Sequence, residues 1–505
     1  MITFAAMSST FKPLKSLAGQ TAVYGLGTIV PRLLNYLLLT PFYTRVFIKG
    51  EYGVVTELYA YVAFLMVLLT YGMETSFFRH AGKEEDADKV YGTSLVSLFS
   101  TSLFFMVVML FLYPTAAGWI QYQSNPEYIL YFSIIVGIDA FSAIPLARLR
   151  QQQRPGRFTL VRLTTVSVNI LMNVFFLVVC RYIYDKHPDG LIRYIYKPEL
   201  GIAYAFISNL IASAVGLIML LPDIISVRWA FDKALFRKMI RYALPLLVVG
   251  LAGMVNEVAD KILLKHLVSD PGTAMEQLGI YGANFRLAVL MTLFIQMFRY
   301  AAEPFFFSQS GDASAKQVYA DVLKFFVLFC LLIFLGVLLY IDLFQHFIGP
   351  SYREGLFIVP IILMANLLLG VYYNLSIWYK LQDKTMLGAY IAMAGAGVTL
   401  LLNFLLIPVY GYAGAAWAHL FCYLVMVIIS YLIGQHHYPI PYQLRTIFAY
   451  LFLALIIYGV SVMVRPETLL LRLGWNTLLL IAFVFIVMKR ERIPLPGLPA
   501  GGRRP

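Results

Sequence analysis

The chain has 505 residues and a net charge of +13, yet 60% of its residues are hydrophobic, only 13% are charged, and its mean hydropathy is +0.77. Soluble domains carry about 25% charged residues, and a water-soluble chain of this length could not cover so much apolar surface. This composition excludes an ordinary soluble protein.

Continuous apolar runs of the length that crosses a ~30 Å hydrocarbon core recur along the whole chain. They are unbroken rather than alternating, which favours helices over a barrel. The sequence therefore predicts an all-α polytopic membrane protein with fourteen transmembrane helices joined by short connections. The predicted spans are 19–45, 52–78, 91–115, 127–148, 158–182, 199–222, 241–267, 279–305, 317–342, 353–378, 385–407, 413–434, 444–464 and 473–489.

Basic residues collect in alternate connections between these spans. One set of connections, including both ends of the chain, holds 24 of the 39 lysines and arginines, and the other set holds 10. The positive-inside rule therefore predicts that both termini are cytoplasmic. It also explains the net charge without a nucleic-acid partner. The basic connection RLRQQQRPGR could in addition meet anionic lipid headgroups. The N-terminus has no pattern of a cleaved signal peptide, so the first span is expected to direct insertion.

The chain also repeats itself, because a shift of 229 residues superimposes charged and glycine-containing positions of its two halves. Such matches arise by chance less readily than matches of apolar residues. The matched positions are Arg32 with Lys261, Tyr52-Gly53 with Tyr281-Gly282, and Glu74 with Glu303. Six spans per repeat imply lobes related by an axis along the membrane normal, with a cavity between them. The predicted parts are an N-terminal lobe at 1–239, a C-terminal lobe at 240–438, and helices 13–14 with a cytoplasmic tail at 439–505.

Three basic residues at span depth are candidates to line that cavity, because charges inside a membrane are costly and usually face water or a partner. Arg32 follows Pro31 deep in the first span, although it could instead reach a span end. Lys261 could pair with Glu257, four residues before it on the same helix face. Arg286 is either cavity-facing or an interfacial anchor.

Five acidic residues at span depth have gating or coupling as one possible role and local pairing as the other. Glu74 and Glu303 lie near cytoplasmic span ends, where each could act as a latch or pair with a nearby arginine. Asp139 has no local partner and could carry a proton. The five are Glu74, Asp139, Glu257, Asp260 and Glu303.

Several kinds of catalytic or binding motif are missing. The sequence has no GxxxxGK[ST] motif for ATP hydrolysis, no HExxH and no His/Cys cluster for a metal, and no nucleophile elbow. We therefore expect no cofactor and no metal. The three cysteines, Cys180, Cys330 and Cys422, lie in apolar runs and are expected to act as small hydrophobic residues.

Four segments carry a family resemblance: KGEYGVVTELYAYVAFLMVLLTYGMETSFFR, DKILLKHLV followed by GIYGANFRLAVL, AAEPFFF, and YGYAGAAWAHL. In this order, with fourteen spans and a six-plus-six repeat, the chain resembles the multidrug/oligosaccharidyl-lipid/polysaccharide exporter superfamily. The motifs are most similar to its polysaccharide-transporter branch, the O-antigen-type flippases. The resemblance covers about residues 15–435.

The resemblance implies a V-shaped, gradient-driven, alternating-access flippase of a bacterial inner membrane. Its substrate would be an undecaprenyl-diphosphate-linked oligosaccharide, and its partners would be membrane lipids and a glycan polymerase. Arg32, Lys261 and Arg286 would bind the diphosphate, since cations are favourable beside phosphate in a low dielectric. Glu74, Asp139, Glu257, Asp260 and Glu303 would serve gating or coupling.

Other functions stay open from the sequence. A cation-coupled multidrug exporter of the same superfamily would have an acidic, aromatic cavity, and a lipid II-type flippase would differ only in substrate. A membrane glycan polymerase would need an outer loop with catalytic residues. The longest outer connection, around 183–198, has no such constellation. A purely structural membrane protein would not need so many charges at span depth.

Overall fold

The computed structural model describes residues 11–82, 86–309, 315–382 and 384–491, with side chains described from residue 29 except at 301, 303, 304 and 307–309, and most of these residues are helical, with no strand among them. The all-α prediction is confirmed, and every predicted span lies mostly on one to three consecutive helical segments. The α-helices are α1 (Phe11–Val46), α2 (Lys49–Thr70), α3 (Met73–Ala81), α4 (Ala87–Trp119), α5 (Glu127–Gln151), α6 (Pro155–Val174), α7 (Arg181–Lys186), α8 (Ala203–Ile225), α9 (Lys233–Leu267), α10 (Ala274–Leu287), α11 (Val289–Gln309), α12 (Ala315–Leu339), α13 (Ile341–Phe344), α14 (Val359–Leu375), α15 (Ile377–Leu381), α16 (Thr385–Tyr410), α17 (Tyr412–His437), α18 (Leu444–Met463) and α19 (Leu469–Glu491).

Twelve helices in the described ranges are long and apolar enough to cross a membrane, or thirteen if the bent pair Ala274–Leu287 and Val289–Tyr300 counts as one span. Helix α1 occupies the position of the predicted first span but is not among these candidates. The protein is a multi-pass membrane protein, whereas the count of fourteen spans is not confirmed.

Polar and glycine residues set several helix ends. Asp86 and Asp232 cap α4 and α9, each accepting hydrogen bonds from two backbone N–H groups of the first turn. Between α2 and α3 the backbone turns at Tyr71 and Gly72, whose φ angles are 35° and 72°. Such a left-handed pair interrupts the second span one turn before Glu74.

The chain divides into two compact units, Met1–Gly282 with Ala392–Ala415, and Ala283–Ile391 with Ala416–Pro505. They are referred to below as the first and the second unit. They are defined by packing alone, so the repeat-based lobes remain a prediction. The three cysteines are buried, and the described residues contain no His/Cys/Asp/Glu group that could hold a metal ion.

In the first unit, arginines at the end of α5, at the start of α6 and in the connection between them are held by internal partners. The Asp223 carboxylate on α8 accepts hydrogen bonds from Arg154 at 3.2 Å and Arg157 at 2.8 Å. Arg148 donates to the Asp223 carbonyl and lies over the Tyr91 ring, 4.2 Å from its centroid. These arginines fasten one end of α5 and α6 to α8, so this basic connection is more than a topology signal.

In the second unit, the C-terminal hairpin of α18 and α19 is fastened to the rest of the unit at both ends. At one end Lys324 on α12 pairs with Glu491 at 2.7 Å. At the other end Asp342 on α13 pairs with Arg465 at 3.0 Å and Arg472 at 2.9 Å. The two ends have opposite charge arrangements. The hairpin supplies the acid, Glu491, at one end and the bases, Arg465 and Arg472, at the other.

Candidate functional site

Helices α2, α3, α5, α6 and α8 of the first unit surround a cavity of about 290 Å³ with charged and hydroxyl-bearing walls. We call it the polar cavity. Such a lining is unusual among helices of this hydropathy, because polar groups at membrane depth are costly unless they have a partner or face water. Its polar residues are Thr70, Glu74, Asp139, Ser142, Arg150, Arg162, Thr165 and Ser213.

Carboxylates and guanidinium groups alternate around the polar cavity. Glu74 pairs with Arg150. Asp139 lies beside the Ser213 hydroxyl and within electrostatic reach of Arg162. Arg150 and Arg162 both lie against the Phe158 ring, 5.8 and 5.9 Å from its centroid. The cavity is therefore charged but balanced, with two acids and two bases.

Two buried polar atoms of the polar cavity's lining have no hydrogen-bond partner among the described residues. They are the Ser142 hydroxyl oxygen and the Nε atom of Arg150. Native proteins satisfy the great majority of such atoms, so each exception needs an explanation. Both residues line the same cavity, although these two atoms are themselves buried.

Arg32 is brought to this region by the packing of α1 along α6, where Tyr43 donates a buried 2.8 Å hydrogen bond to Asn173. Its side chain is exposed, and it is near enough to Arg162 for the two positive charges to repel each other. Arg32, Glu74 and Asp139 therefore all lie close enough to Arg162 for their charges to interact with it.

Glu257, Asp260 and Lys261 form the predicted charged cluster on α9, and Asp260 and Lys261 make contacts with nearby residues. Lys261 donates to the Glu257 carbonyl at 2.9 Å and lies 3.4 Å from Asp260 Oδ1. Asp260 is buried and its Oδ2 accepts a 2.5 Å hydrogen bond from Tyr281. The Glu257 side chain is exposed. Asp260 thus has a clear structural role in joining α9 to α10.

Arg286 lies in the last turn of α10, two residues before the 52° bend between α10 and α11. A broken span is a common place for a transporter's ligand site, because the break exposes backbone groups. Arg286 is half-buried. The side chain of Glu303 lies outside the described residues, so its predicted role stays untested.

A second charged group in the first unit links α2, α9 and the connection between α4 and α5. Glu57 is fully buried, accepts a 2.5 Å hydrogen bond from Tyr122, and lies 3.2 Å from the Lys265 ammonium. Lys265 also donates to the Ile120 carbonyl at 2.6 Å and lies 3.9 Å from the Tyr122 ring centroid. Burial, with the Glu57 charge beside it, raises the pKa of Tyr122, so its hydroxyl stays a donor. We call Glu57, Tyr122 and Lys265 the Glu57 cluster.

Close to the Glu57 cluster, the glycines of the two matched Tyr-Gly pairs lie in one helix contact. A Cβ on Gly53 would lie 2.1 Å from the Met275 carbonyl oxygen, and one on Gly282 would lie 2.4 Å from the Thr56 hydroxyl. Gly279 approaches the Lys49 carbonyl in the same way. Small residues therefore let α2 and α10 touch backbone to backbone. By the sequence repeat, these helices belong to different halves.

The sequence interpretation missed four residues that the structure makes prominent: Glu57, Arg150, Arg162 and Lys265. Arg162 was visible as a span-depth cation. Glu57 and Lys265 lie near predicted span ends, where charges are ordinary, so only the packing of α2 against α9 shows that the pair is buried.

Comparison with solved structures places this fold among flippases and multidrug transporters. The lipid II flippase MurJ in an inward closed conformation is similar with a TM-score of 0.70, 14% identity, and coverage of 93% of this chain and 100% of that one. An inward-facing multidrug resistance MATE family transporter of the MOP superfamily gives 0.62, 12%, and coverage of 82% and 94%. The MATE multidrug transporter DinF-BH gives 0.60, 17%, and coverage of 86% and 96%. The fold is that of the transporter superfamily that the sequence motifs indicate.

The family is shown by the sequence itself. The model of the polysaccharide biosynthesis protein family matches residues 17–310, more than half of the chain. The chain therefore belongs to the polysaccharide biosynthesis protein family, and its fold is similar to those of a flippase and of multidrug transporters. No curated protein sequence matches it significantly.

Proposed function

We propose that this protein is a flippase that moves a lipid-diphosphate-linked oligosaccharide across the bacterial inner membrane by gradient-driven alternating access, with both termini in the cytoplasm. The observation that carries the proposal is the polar cavity, a charge-balanced chamber inside an apolar helix bundle. Membership of the polysaccharide biosynthesis family and the likeness to a lipid II flippase support the same substrate class.

The polar cavity suits sugars better than a drug cation. Its two acids and two bases balance, and Glu74 is paired with Arg150, so it offers both donors and acceptors to neutral hydroxyl groups while carrying little net charge. Thr70, Ser142, Thr165 and Ser213 add hydroxyl groups to this lining. In this proposal the glycan contacts these walls while its apolar tail stays in the lipid.

The diphosphate is assigned to Arg32, Lys261 and Arg286. Arg32 is exposed beside the polar cavity, Lys261 has two local acceptors, and Arg286 lies at a helix break. Guanidinium and ammonium groups bind phosphate oxygens strongly where water is scarce. Glu74 and Asp139 serve as coupling or gating groups, together with Glu303. Glu257 and Asp260 are further coupling or gating groups, and Asp260 and the Glu257 backbone carbonyl also hold Lys261.

The Glu57 cluster is assigned as a latch on the predicted outer side. It joins α2 to α9, which the repeat places in different lobes, and it lies beside the tight α2–α10 contact. Opening toward the outside would separate these helices and expose Glu57 to water.

The test is flipping of a fluorescent lipid-diphosphate-linked saccharide in proteoliposomes. We expect Arg32→Gln/Lys261→Gln to lower the rate at least tenfold, since losing a charge-assisted contact of about 1.5–3 kcal/mol changes a rate constant by one to two orders of magnitude. The double variant Lys233→Gln/Arg237→Gln removes the same charge from exposed positions of α9 and should flip normally. A well-folded Arg32→Gln/Lys261→Gln protein with wild-type flipping would refute the diphosphate assignment.

The second candidate is a cation-coupled multidrug exporter, favoured by the two carboxylates in the polar cavity and the likeness to MATE transporters. Drug accumulation in an exporter-deficient strain separates the two functions. Lower accumulation of cationic drugs, with no flipping of the labelled lipid, would replace the flippase by the exporter.

A further inference from the structure

A second cavity, of about 280 Å³, lies in the second unit where the C-terminal hairpin meets α12 and α14. We call it the Asp342 cavity, after the buried carboxylate in its wall. It lies at the end of the hairpin where α18 ends and α19 begins. Ends of membrane-spanning helices are expected at headgroup depth, which places this cavity within reach of lipid headgroups.

One wall of the Asp342 cavity carries excess positive charge. Asp342 accepts from Arg465 Nη2 at 3.0 Å and from Arg472 Nη1 at 2.9 Å, so two guanidinium groups share one carboxylate. The other nitrogens of Arg472 are also engaged, because Nε donates to the Pro466 carbonyl at 3.1 Å and Nη2 to the Glu467 carbonyl at 3.2 Å. Arg472 is therefore fixed, and its role is to hold Asp342.

Arg465 differs from Arg472 in its exposure. Its side chain is 59% exposed, against 18% for Arg472. A guanidinium group has five donors in a planar fork, and one nitrogen of Arg465 is used by Asp342. The rest of the fork stands at the cavity, held in place by the ion pair. This arrangement favours a doubly hydrogen-bonded oxyanion such as phosphate.

Part of the lining of the Asp342 cavity is apolar. Leu338, Phe357, Tyr458 and Val462 line it. Phe357 is 56% exposed and Val462 is 58% exposed, so the apolar surface continues from the cavity toward the lipid. Burying such surface gains about 25 cal/mol per Å². A ligand that fills this cavity must therefore be anionic at one end and apolar at the other.

We propose that the Asp342 cavity binds a membrane phospholipid, with its phosphate on Arg465 and the start of an acyl chain on Phe357 and Val462. Asp342 and Arg472 position Arg465 and limit the net charge of the wall to one positive unit. The site is separate from the polar cavity and does not depend on the flipped substrate.

The test is native mass spectrometry of the full-length protein in detergent, titrated with three probes. Phosphatidylglycerol carries both phosphate and acyl chains, diacylglycerol carries the chains alone, and inorganic phosphate carries the anion alone. We expect one phosphatidylglycerol to bind at least tenfold more tightly than diacylglycerol, and millimolar phosphate not to displace it.

Arg465→Gln should lower phosphatidylglycerol affinity about tenfold, which corresponds to about 1.4 kcal/mol. Arg465→Lys keeps the charge but not the fork and should fall between the two. Arg193→Gln, at an exposed arginine in the first unit, should bind like the wild type. The Asp342–Arg472 pair remains in every variant, so the melting temperature without lipid should hardly change.

Three results would overturn the proposal. Equal affinity of Arg465→Gln and wild type would remove the phosphate contact. Equal binding of diacylglycerol would show an acyl-chain groove without headgroup recognition. Displacement of the lipid by inorganic phosphate would show an anion site that does not use the chains.

Discussion

The Glu57 cluster and the polar cavity both place carboxylates beside cations in the first unit, yet they differ in how much space surrounds them. Glu57 is fully buried, and its pairing with Lys265 and Tyr122 leaves little room around it. Glu74 and Asp139 instead line an open volume of about 290 Å³ with half-exposed partners. Carboxylates beside cations thus form a closed contact between helices in the Glu57 cluster and line a chamber in the polar cavity.

Because of this difference, we expect the removal of a charge to lower folding stability by different amounts in the two regions. Removing one member of a buried ion pair leaves an uncompensated charge, which is destabilising by several kcal/mol. Removing a charge that faces a water-filled cavity costs little stability, because water takes the partner's place. Mutations in the Glu57 cluster should therefore lower the stability of the closed arrangement, whereas mutations in the polar cavity should change transport with little loss of stability.

The largest effect is expected from Lys265→Met, which strands the Glu57 carboxylate in an apolar setting. We expect a loss of about 3–5 kcal/mol in the free energy of unfolding, measured by thermal or denaturant unfolding in detergent. The double variant Glu57→Gln/Lys265→Met should recover most of it, since no buried charge remains. If single and double variants are equally stable, the two groups are not coupled, and the joint is not ionic.

Gly53→Ala should come next, because the added Cβ would meet the Met275 carbonyl at 2.1 Å and backbone cannot yield easily. We expect a loss of about 1–3 kcal/mol, as in other overpacked contacts. Gly50→Ala is the matched control on the same helix, where nothing lies within 4 Å of the added carbon. It should be neutral or slightly stabilising, because alanine favours helix. Similar melting temperatures for both variants would rule out the close α2–α10 contact.

Arg162→Gln should leave the melting temperature nearly unchanged and reduce flipping about tenfold, since Arg162 is exposed within the polar cavity and supplies donors there. Arg162→Lys should be intermediate, because lysine keeps the charge without the planar fork. Arg237→Gln, at an exposed position on α9, controls for net charge. Unfolding of Arg162→Gln, in place of slower flipping, would make this region a structural joint like the Glu57 cluster.

The smallest effect is expected at the exposed pair of Lys89 and Asp232, 2.7 Å apart. The Lys89 hydrogen bond, with help from backbone N–H groups of α9, lowers the pKa of Asp232 from 3.8 to about 2. A lowered pKa means that the pair stabilises the fold above pH 3.8 and that this contribution fades as the pH falls through about 2. Asp232→Asn keeps the helix cap, so its small deficit in melting temperature at pH 6 should vanish near pH 2. A deficit that does not change with pH would exclude the ion pair as its cause.

The sequence was sufficient for the helices and for the family. Apolar runs located the spans within a few residues, as with the predicted 444–464 and the observed Leu444–Met463, because hydropathy depends on each segment alone. Arg32, Glu74 and Asp139 were recognised because a charge inside an apolar run is conspicuous. Their common neighbourhood with Arg162 requires the packing of α1 along α6.

What the sequence could not show is register between helices. Whether Glu57 meets Lys265 depends on how far α2 is displaced along α9, and no local pattern fixes that. The sequence also does not show that Lys261 contacts Asp260 or that Tyr281 donates a buried hydrogen bond to Asp260. Both contacts depend on the direction in which the side chains point.

The reversed ion pairs of α18 and α19 bear on how the C-terminal hairpin finds its place. Turned end over end, the hairpin would bring Arg465 and Arg472 to Lys324 and Glu491 to Asp342, so every contact would become a repulsion. The charges thus discriminate between two insertions that hydropathy alone would accept equally. Exchanging acid and base at both ends keeps the reversed orientation repulsive and should preserve assembly. Exchange at one end alone makes both orientations attractive, so it should lower the yield of folded protein in membranes.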